Sequence, residues 1–242
     1  MWRLKLHLNL DQFQLDVDIE SAARSIAFIG LNGSGKSTLL KAIAGAYPHL
    51  KGIIEIGGRV LFDSSSSIDV PIESRELGYV PQNNSILPHL TSIENMCFGA
   101  VPEHMSGDEI REAAFTWLEA LDCSDLAHIR GSSLSTGQRQ RIAFARVLIR
   151  RPRALLMDEP LSNIDPVARQ QLRRMLQDHL NDHNPLSLMM THDHRDVMNM
   201  AQIVCVLEGG KVIQLGTPKA VSSNPVNPFT EAFFDGVAIP TS

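Results

Sequence analysis

The sequence has 242 residues, a formal charge of −5, 43% hydrophobic and 20% charged residues, enough for one large domain with a substantial buried core. The acidic balance excludes a general attraction to nucleic acid or anionic lipid. Cys97, Cys123 and Cys205 are far apart and odd in number, so they form no disulfide framework or metal-spacing pattern and favour a reducing cytoplasm.

From Met1 to Asp18 charges recur every few residues, which excludes a signal peptide. No stretch approaches the roughly 20 apolar residues of a membrane span. Within that first segment Trp2, Leu4, Leu6, Leu8 and Leu10 are apolar at even positions, and Phe13, Leu15, Val17 and Ile19 at odd ones. Two strands joined by a tight turn near Asp11-Gln12 explain the change of phase. A buried strand, Ser25 to Ile29, leads into a glycine-rich loop and a helix through Leu39, Leu40, Ile43 and Ala44. Ile53 to Ile56 and Val60 to Phe62 flank Gly57-Gly58 as a second hairpin. Ser64 to Ser67 is expected to be a mobile loop.

Ser106 and Glu109 have capping-box spacing ahead of a helix through Phe115, Leu118 and Leu121. Another helix is expected from about Gly137 to just before Pro152. The arginines gathered there (Arg139, Arg141, Arg146, Arg150, Arg151 and Arg153) are expected to form a solvated face. Apolar strands follow at Ala154 to Met157 and Leu186 to Met190, separated by an amphipathic helix through Leu172, Met175, Leu176 and Leu180. Ile203 to Leu207 and Val212 to Leu215 close the series around Gly209-Gly210. Strands alternating with helices indicate an α/β core, with the early hairpins as an attached antiparallel layer. Trp2 and the remaining aromatics are expected in the core.

Three segments carry chemistry. Gly30-Leu-Asn32-Gly33-Ser34-Gly35-Lys36-Ser37-Thr38 fits the phosphate-binding loop in full, strand before and helix after. Its backbone N–H groups and helix N-terminus suit phosphate oxygens; Lys36 should reach the β- and γ-phosphates and Ser37 the Mg²⁺. Ala154 to Pro160 is an apolar strand ending in Asp158 and Glu159. Beside such a loop Asp158 can hold Mg²⁺ through water, and Glu159 can orient or deprotonate an attacking water. Leu134-Ser135-Thr136-Gly137-Gln138 has capping-box spacing, and a capped helix start is also an anion site.

These segments, with Thr191-His192-Asp193, stand in the order and spacing of the ABC transporter ATPases, which the chain resembles over almost its whole length. The resemblance implies an α/β P-loop NTPase with a RecA-like core, an antiparallel β subdomain and an inserted α-helical subdomain. About 1–86 and 152–242 would form the core and β subdomain, and about 87–151 the helical subdomain. It implies ATP and Mg²⁺ as cofactors, with Gln82 sensing the metal and the membrane partner. Ser135 and Gly137 would contact the γ-phosphate of ATP held by a second copy in a head-to-tail nucleotide sandwich. Ser162-Asn163-Ile164-Asp165 would link the two sites, and His192 would contact the γ-phosphate. The usual LSGGQ reads LSTGQ here, so Thr136 is expected to tune activity without abolishing it. Phe13 is the nearest candidate to stack on adenine, although its alternation phase also suits a core residue.

Arg59 to Asp63, Arg75 to Gln82 and Leu87 to Asn95 look like bacterial importer ATPases of the molybdate and sulfate type. That likeness implies permease subunits, indirectly a substrate-binding protein, and a cytoplasmic position on the inner face of the cell membrane. The extra C-terminal regulatory β domain of many such ATPases is not expected. A soluble ABC ATPase of iron–sulfur cluster assembly is the alternative, and a non-catalytic nucleotide-binding regulator a third reading, opposed by Glu159 and His192.

Overall fold

The computed structural model describes residues 1–82, 86–99, 106–162, 164–183 and 185–236. Two strands, β1 (Trp2–Leu10) and β2 (Phe13–Ser21), pair antiparallel with Leu10 opposite Phe13. The phase change at Asp11-Gln12 therefore works as expected: Trp2, Leu4, Leu6, Leu8, Leu15, Val17 and Ile19 all face inward and are buried. β4 (Lys51–Ile56) and β5 (Arg59–Asp63) form the second hairpin, with positive φ at both Gly57 and Gly58, as the right-twisted two-residue turn requires.

The serine run lies outside the strands as an exposed turn, the loop expected of it. Asp63 accepts hydrogen bonds from the backbone N–H and hydroxyl groups of Ser65 and Ser66, folding the run into a turn that leads to the short strand β6 (Ile68–Asp69). An aspartate before serines offers the backbone a local alternative to disorder.

A parallel set completes the sheet: β3 (Ser25–Ile29), β7 (Leu77–Val80), β8 (Ala154–Asp158), β9 (Leu186–Met190) and β10 (Ile203–Glu208), with β11 (Lys211–Gly216) returning antiparallel to β10. Among the described residues eleven strands join in the order β6-β5-β4-β1-β2-β11-β10-β3-β9-β8-β7. β3, β8 and β9 are apolar and buried on both faces, as a parallel sheet covered by helices demands.

Helix α1 (Lys36–Ala44) lies between the antiparallel strands and one face of the parallel set, packing Leu39, Leu40 and Ile43 against Leu4, Val17, Phe28 and Leu156. The other face packs against α4 (Thr136–Leu148), α5 (Pro166–His183), α6 (His194–Met200), α7 (Pro218–Ser223) and α8 (Pro228–Asp235). A third cluster joins α2 (Ser92–Gly99), α3 (Gly107–Ala120) and α4.

Both capping boxes form. Ser106 Oγ accepts the Glu109 N–H and Glu109 Oε2 accepts the Ser106 N–H; Ser135 and Gln138 reciprocate in the same way. Phe115, however, is 42% exposed; the buried stripe of α3 runs Ile110, Ala114, Leu118, because a 3.6-residue period from Leu118 falls on 114. Phe98 is also exposed, at 70%, so the remaining aromatics are not all in the core.

The arginine cluster is also not a wholly solvated face. Arg139 donates to the carbonyls of Gly131 and Ser132, and Arg141 to those of Leu121 and Asp122, so both tie α4 to the segment that precedes it. No helix among the described residues is long and apolar enough to cross a membrane.

Candidate functional site

Four segments converge at the C-terminal ends of the parallel strands, where ligands of open α/β sheets bind. The loop after β3 bends back on itself: Lys36 Nζ donates to the carbonyls of Gly30 at 2.8 Å and Leu31 at 3.0 Å. Gly33 and Gly35 have positive φ, and Gly35 opens α1 as its N-cap with no side-chain cap. The first turn of α1 thus presents N–H groups without an acidic residue beside them, a ready anion site. Asn32 is exposed, Thr38 is half-buried, and Ser34 is buried with its carbonyl accepting the Gly210 N–H.

Below the loop, Asp158 ends β8 at 5% exposure and accepts a hydrogen bond from the Ser37 hydroxyl. Burial pushes its carboxyl above the ordinary value, against the opposing effects of Ser37 and Lys36. Burial lowers the Lys36 ammonium in turn, and the negative charges of Glu159 and Asp158 counter it. A buried lysine beside two carboxylates marks a candidate site for a charged ligand.

Glu159 is held differently. Its φ of 50° lies in the left-handed region, which a glutamate rarely adopts, and its N–H donates to Met190 O on the neighbouring strand at 2.9 Å. His192 Nε2 lies 2.7 Å from its Oε1, and Gln82 Nε2 donates to its Oε2 at 2.7 Å. The hydrogen bond from His192 is the chief cause that holds the Glu159 carboxyl below its ordinary range despite burial. The chain thus keeps one carboxyl raised and one lowered, side by side.

The structure therefore brings together Gly30, Lys36, Ser37, Gln82, Asp158, Glu159 and His192. Phe13 is half-buried, with its ring tip against Gly35 and Gly210. Ser135 and Gly137 stand apart at the start of α4, near Ile164 and Ala168, and among the described residues no hydrogen bond joins them to the cluster. Ser162 Oγ donates to Glu159 O, Asp165 caps α5, and Asn163 lies outside the described residues.

Sequence reasoning missed two further groups. Gln140 Nε2 donates to Pro160 O at 2.5 Å from a buried position, tying α4 to the strand end that carries Glu159. Arg173 pairs with Asp193 and Asp196 around His192; the acid three residues after Asp193, in the first turn of α6, was the available signal.

The chain matches the ABC transporter family over residues 13–162. It is 34% identical over 97% of its length to the ABC transporter ATP-binding protein YcjV of Escherichia coli K12, and spans 64% of that protein. It is 33% identical over 93% of its length to the sulfate/thiosulfate import ATP-binding protein CysA of Chlorella vulgaris, covering 91% of it. The molybdenum import ATP-binding protein ModC of Paramagnetospirillum magneticum is 33% identical over 99% of this chain, which spans 66% of it. The fold is that of a solved dimer of the ATP-binding cassette MJ0796 bound to ADP and Pi, at a TM-score of 0.72, 23% identity, 90% of this chain and 98% of that one. Matched to that family over residues 13–162 and similar to its import ATP-binding proteins over nearly its whole length, the chain belongs to the ABC transporter ATP-binding proteins.

Proposed function

We propose that this chain binds ATP at residues 30–38 and hydrolyses it as the energy-supplying subunit of an importer. The observation that carries this reading is Glu159: an ionised carboxylate, fixed by His192 and Gln82 beside a buried Lys36 and Asp158. In this reading Lys36 leaves the Gly30 and Leu31 carbonyls for the β- and γ-phosphates, while the N–H groups opening α1 hold the phosphate oxygens. Glu159 orients and deprotonates the attacking water, and His192 fixes the carboxylate and contacts the γ-phosphate.

The donors present fit Mg²⁺. Ser37 and Asp158 already meet through a hydrogen bond, and Gln82 uses its amide N–H on Glu159, leaving the amide oxygen for a metal. When bound, Mg²⁺ supplies neutralisation of phosphate charge.

Two copies would sandwich two nucleotides, with Ser135 and Gly137 of each reaching the γ-phosphate on the other. Their separation from the cluster within one chain supports this. Residues 1–86 and 152–242 act as nucleotide-binding core and β subdomain, and 87–151 as the helical subdomain. Phe13 is the proposed adenine-stacking aromatic, a reading supported by its half-buried ring beside the loop. Permease subunits would supply the membrane path and place the chain on the inner face of the membrane. An oxyanion such as molybdate is the proposed cargo, supported by the likeness to ModC and CysA.

ATP turnover and light scattering of Glu159→Gln test the assignment. The variant should bind ATP, lose roughly 10²–10⁴-fold in turnover and accumulate a dimer. Turnover at the parent rate would sink it. Stimulation of the permease-assembled complex by molybdate-loaded binding protein tests the cargo.

A further inference from the structure

Both flanks of His192 are held by one guanidinium. Arg173, on α5, donates from Nε to Asp196 Oδ1 at 2.6 Å and pairs through Nη2 with Asp193 Oδ2 at 3.1 Å. The other oxygen of Asp196 accepts the Thr191 hydroxyl at 2.9 Å, and Thr191 Oγ1 accepts the Asp193 N–H at 3.1 Å. Arg195 also pairs with Asp193, through Nε and Nη2. One turn before Arg173, Arg169 donates to Ile164 O at 3.0 Å and lies 3.9 Å from Asp193 Oδ2. Thr191 and Asp196 are buried at 3% and 2% exposure, so these links run through protein and not through solvent.

A buried ion pair is by itself weak evidence for stability. This one closes on the two residues that bracket His192, whose ring is 2.7 Å from Glu159. A shift of the Thr191–Asp193 turn that carries the imidazole away from Glu159 would break this hydrogen bond.

We propose that Arg173 is a positioning residue for His192, acting through Asp196 and Thr191 on one side and Asp193 on the other. This rests on the reading of the chain as an ATPase. Arg173 reaches His192 through Asp193 and Asp196, and fixes where the ring meets Glu159.

Kinetics of Arg173→Met, Arg173→Lys, His192→Ala and the Arg173→Met/His192→Ala pair test this, with the histidine ring signals followed by NMR. Arg173→Met should lower kcat by about 10- to 100-fold with KM within about twofold. Lysine, a single point charge, should restore part of the rate. In the His192→Ala background Arg173→Met should cost nothing more, since one group acts through the other. Multiplying losses in the double variant, or an unchanged kcat in Arg173→Met, would overturn the proposal. If Arg173→Met fails to fold, Thr191→Val cuts the link without unpairing a charge and should show the same dependence on His192. A parent chain that does not turn over ATP removes the ATPase reading instead. The positioning role then stands or falls on whether the His192 ring signals move in Thr191→Val.

Discussion

His192 Nε2 and Glu159 Oε1 are 2.7 Å apart, and this contact joins the ends of two neighbouring parallel strands, β9 and β8. It outweighs burial and keeps the Glu159 carboxyl below its ordinary range. Removing the imidazole removes the chief lowering cause. His192→Ala should reduce kcat by about 10²-fold or more, and the acid limb of its residual activity should lie at higher pH than in the parent. Matching pH–rate profiles with an unmoved acid limb would show that His192 does not set the Glu159 carboxyl.

Much of this arrangement is legible in the sequence, because it follows from local rules. The even-to-odd phase change across Asp11-Gln12, the mirror turn at Gly57-Gly58 and the S-x-x-E and S-x-x-Q boxes are each decided within a few residues. What escapes is decided by distant partners. The left-handed backbone of Glu159 depends on Met190 across the sheet, and the inward turn of Arg139 and Arg141 on carbonyls up to twenty positions away. Arg173 reads as an ordinary charge on the polar side of α5 until Asp193 and Asp196 are folded against it.

Gly35 and Gly33 separate two demands on the glycine-rich loop after β3. Both have positive φ, but a Cβ on Gly35 would sit 2.5 Å from Phe13 Cζ, whereas one on Gly33 would meet nothing within 4 Å. Gly33→Ala should therefore cost only the backbone strain, about 1 kcal/mol. Gly35→Ala should cost about 2–4 kcal/mol, because strain and a displaced ring add. Thermal melts of the two variants check the order, and equal melting points would refute it.

Asp158 should lower the stability of the fold in exchange for its place in the site. Its carboxyl is raised by burial, and a carboxylate with a raised folded-state pKa costs stability at every pH above its unfolded value. That cost disappears as pH falls below about 4, where both states are protonated. Asp158→Asn keeps an oxygen for Ser37 and removes the charge. At pH 7 it should melt above the parent, by about 2–4 °C for each kcal/mol relieved, with the gap closing toward pH 4. Scanning calorimetry at the two pH values decides it; a lower melting point at pH 7 would mean that pairing with Lys36 outweighs burial.

Phe13 carries two separable loads. Its ring tip abuts Gly35 and the turn at Gly210, so any bulky apolar side chain there supports the loop, while only a flat ring can stack on a base. Phe13→Ala should then weaken both ATP and tripolyphosphate, since the loop itself loses its support. Phe13→Leu should restore tripolyphosphate binding but leave ATP weakened by up to about tenfold, the worth of an aromatic contact. Calorimetric titration of the two ligands distinguishes the loads. If leucine restores ATP binding in full, the ring supports the loop and the adenine is held elsewhere.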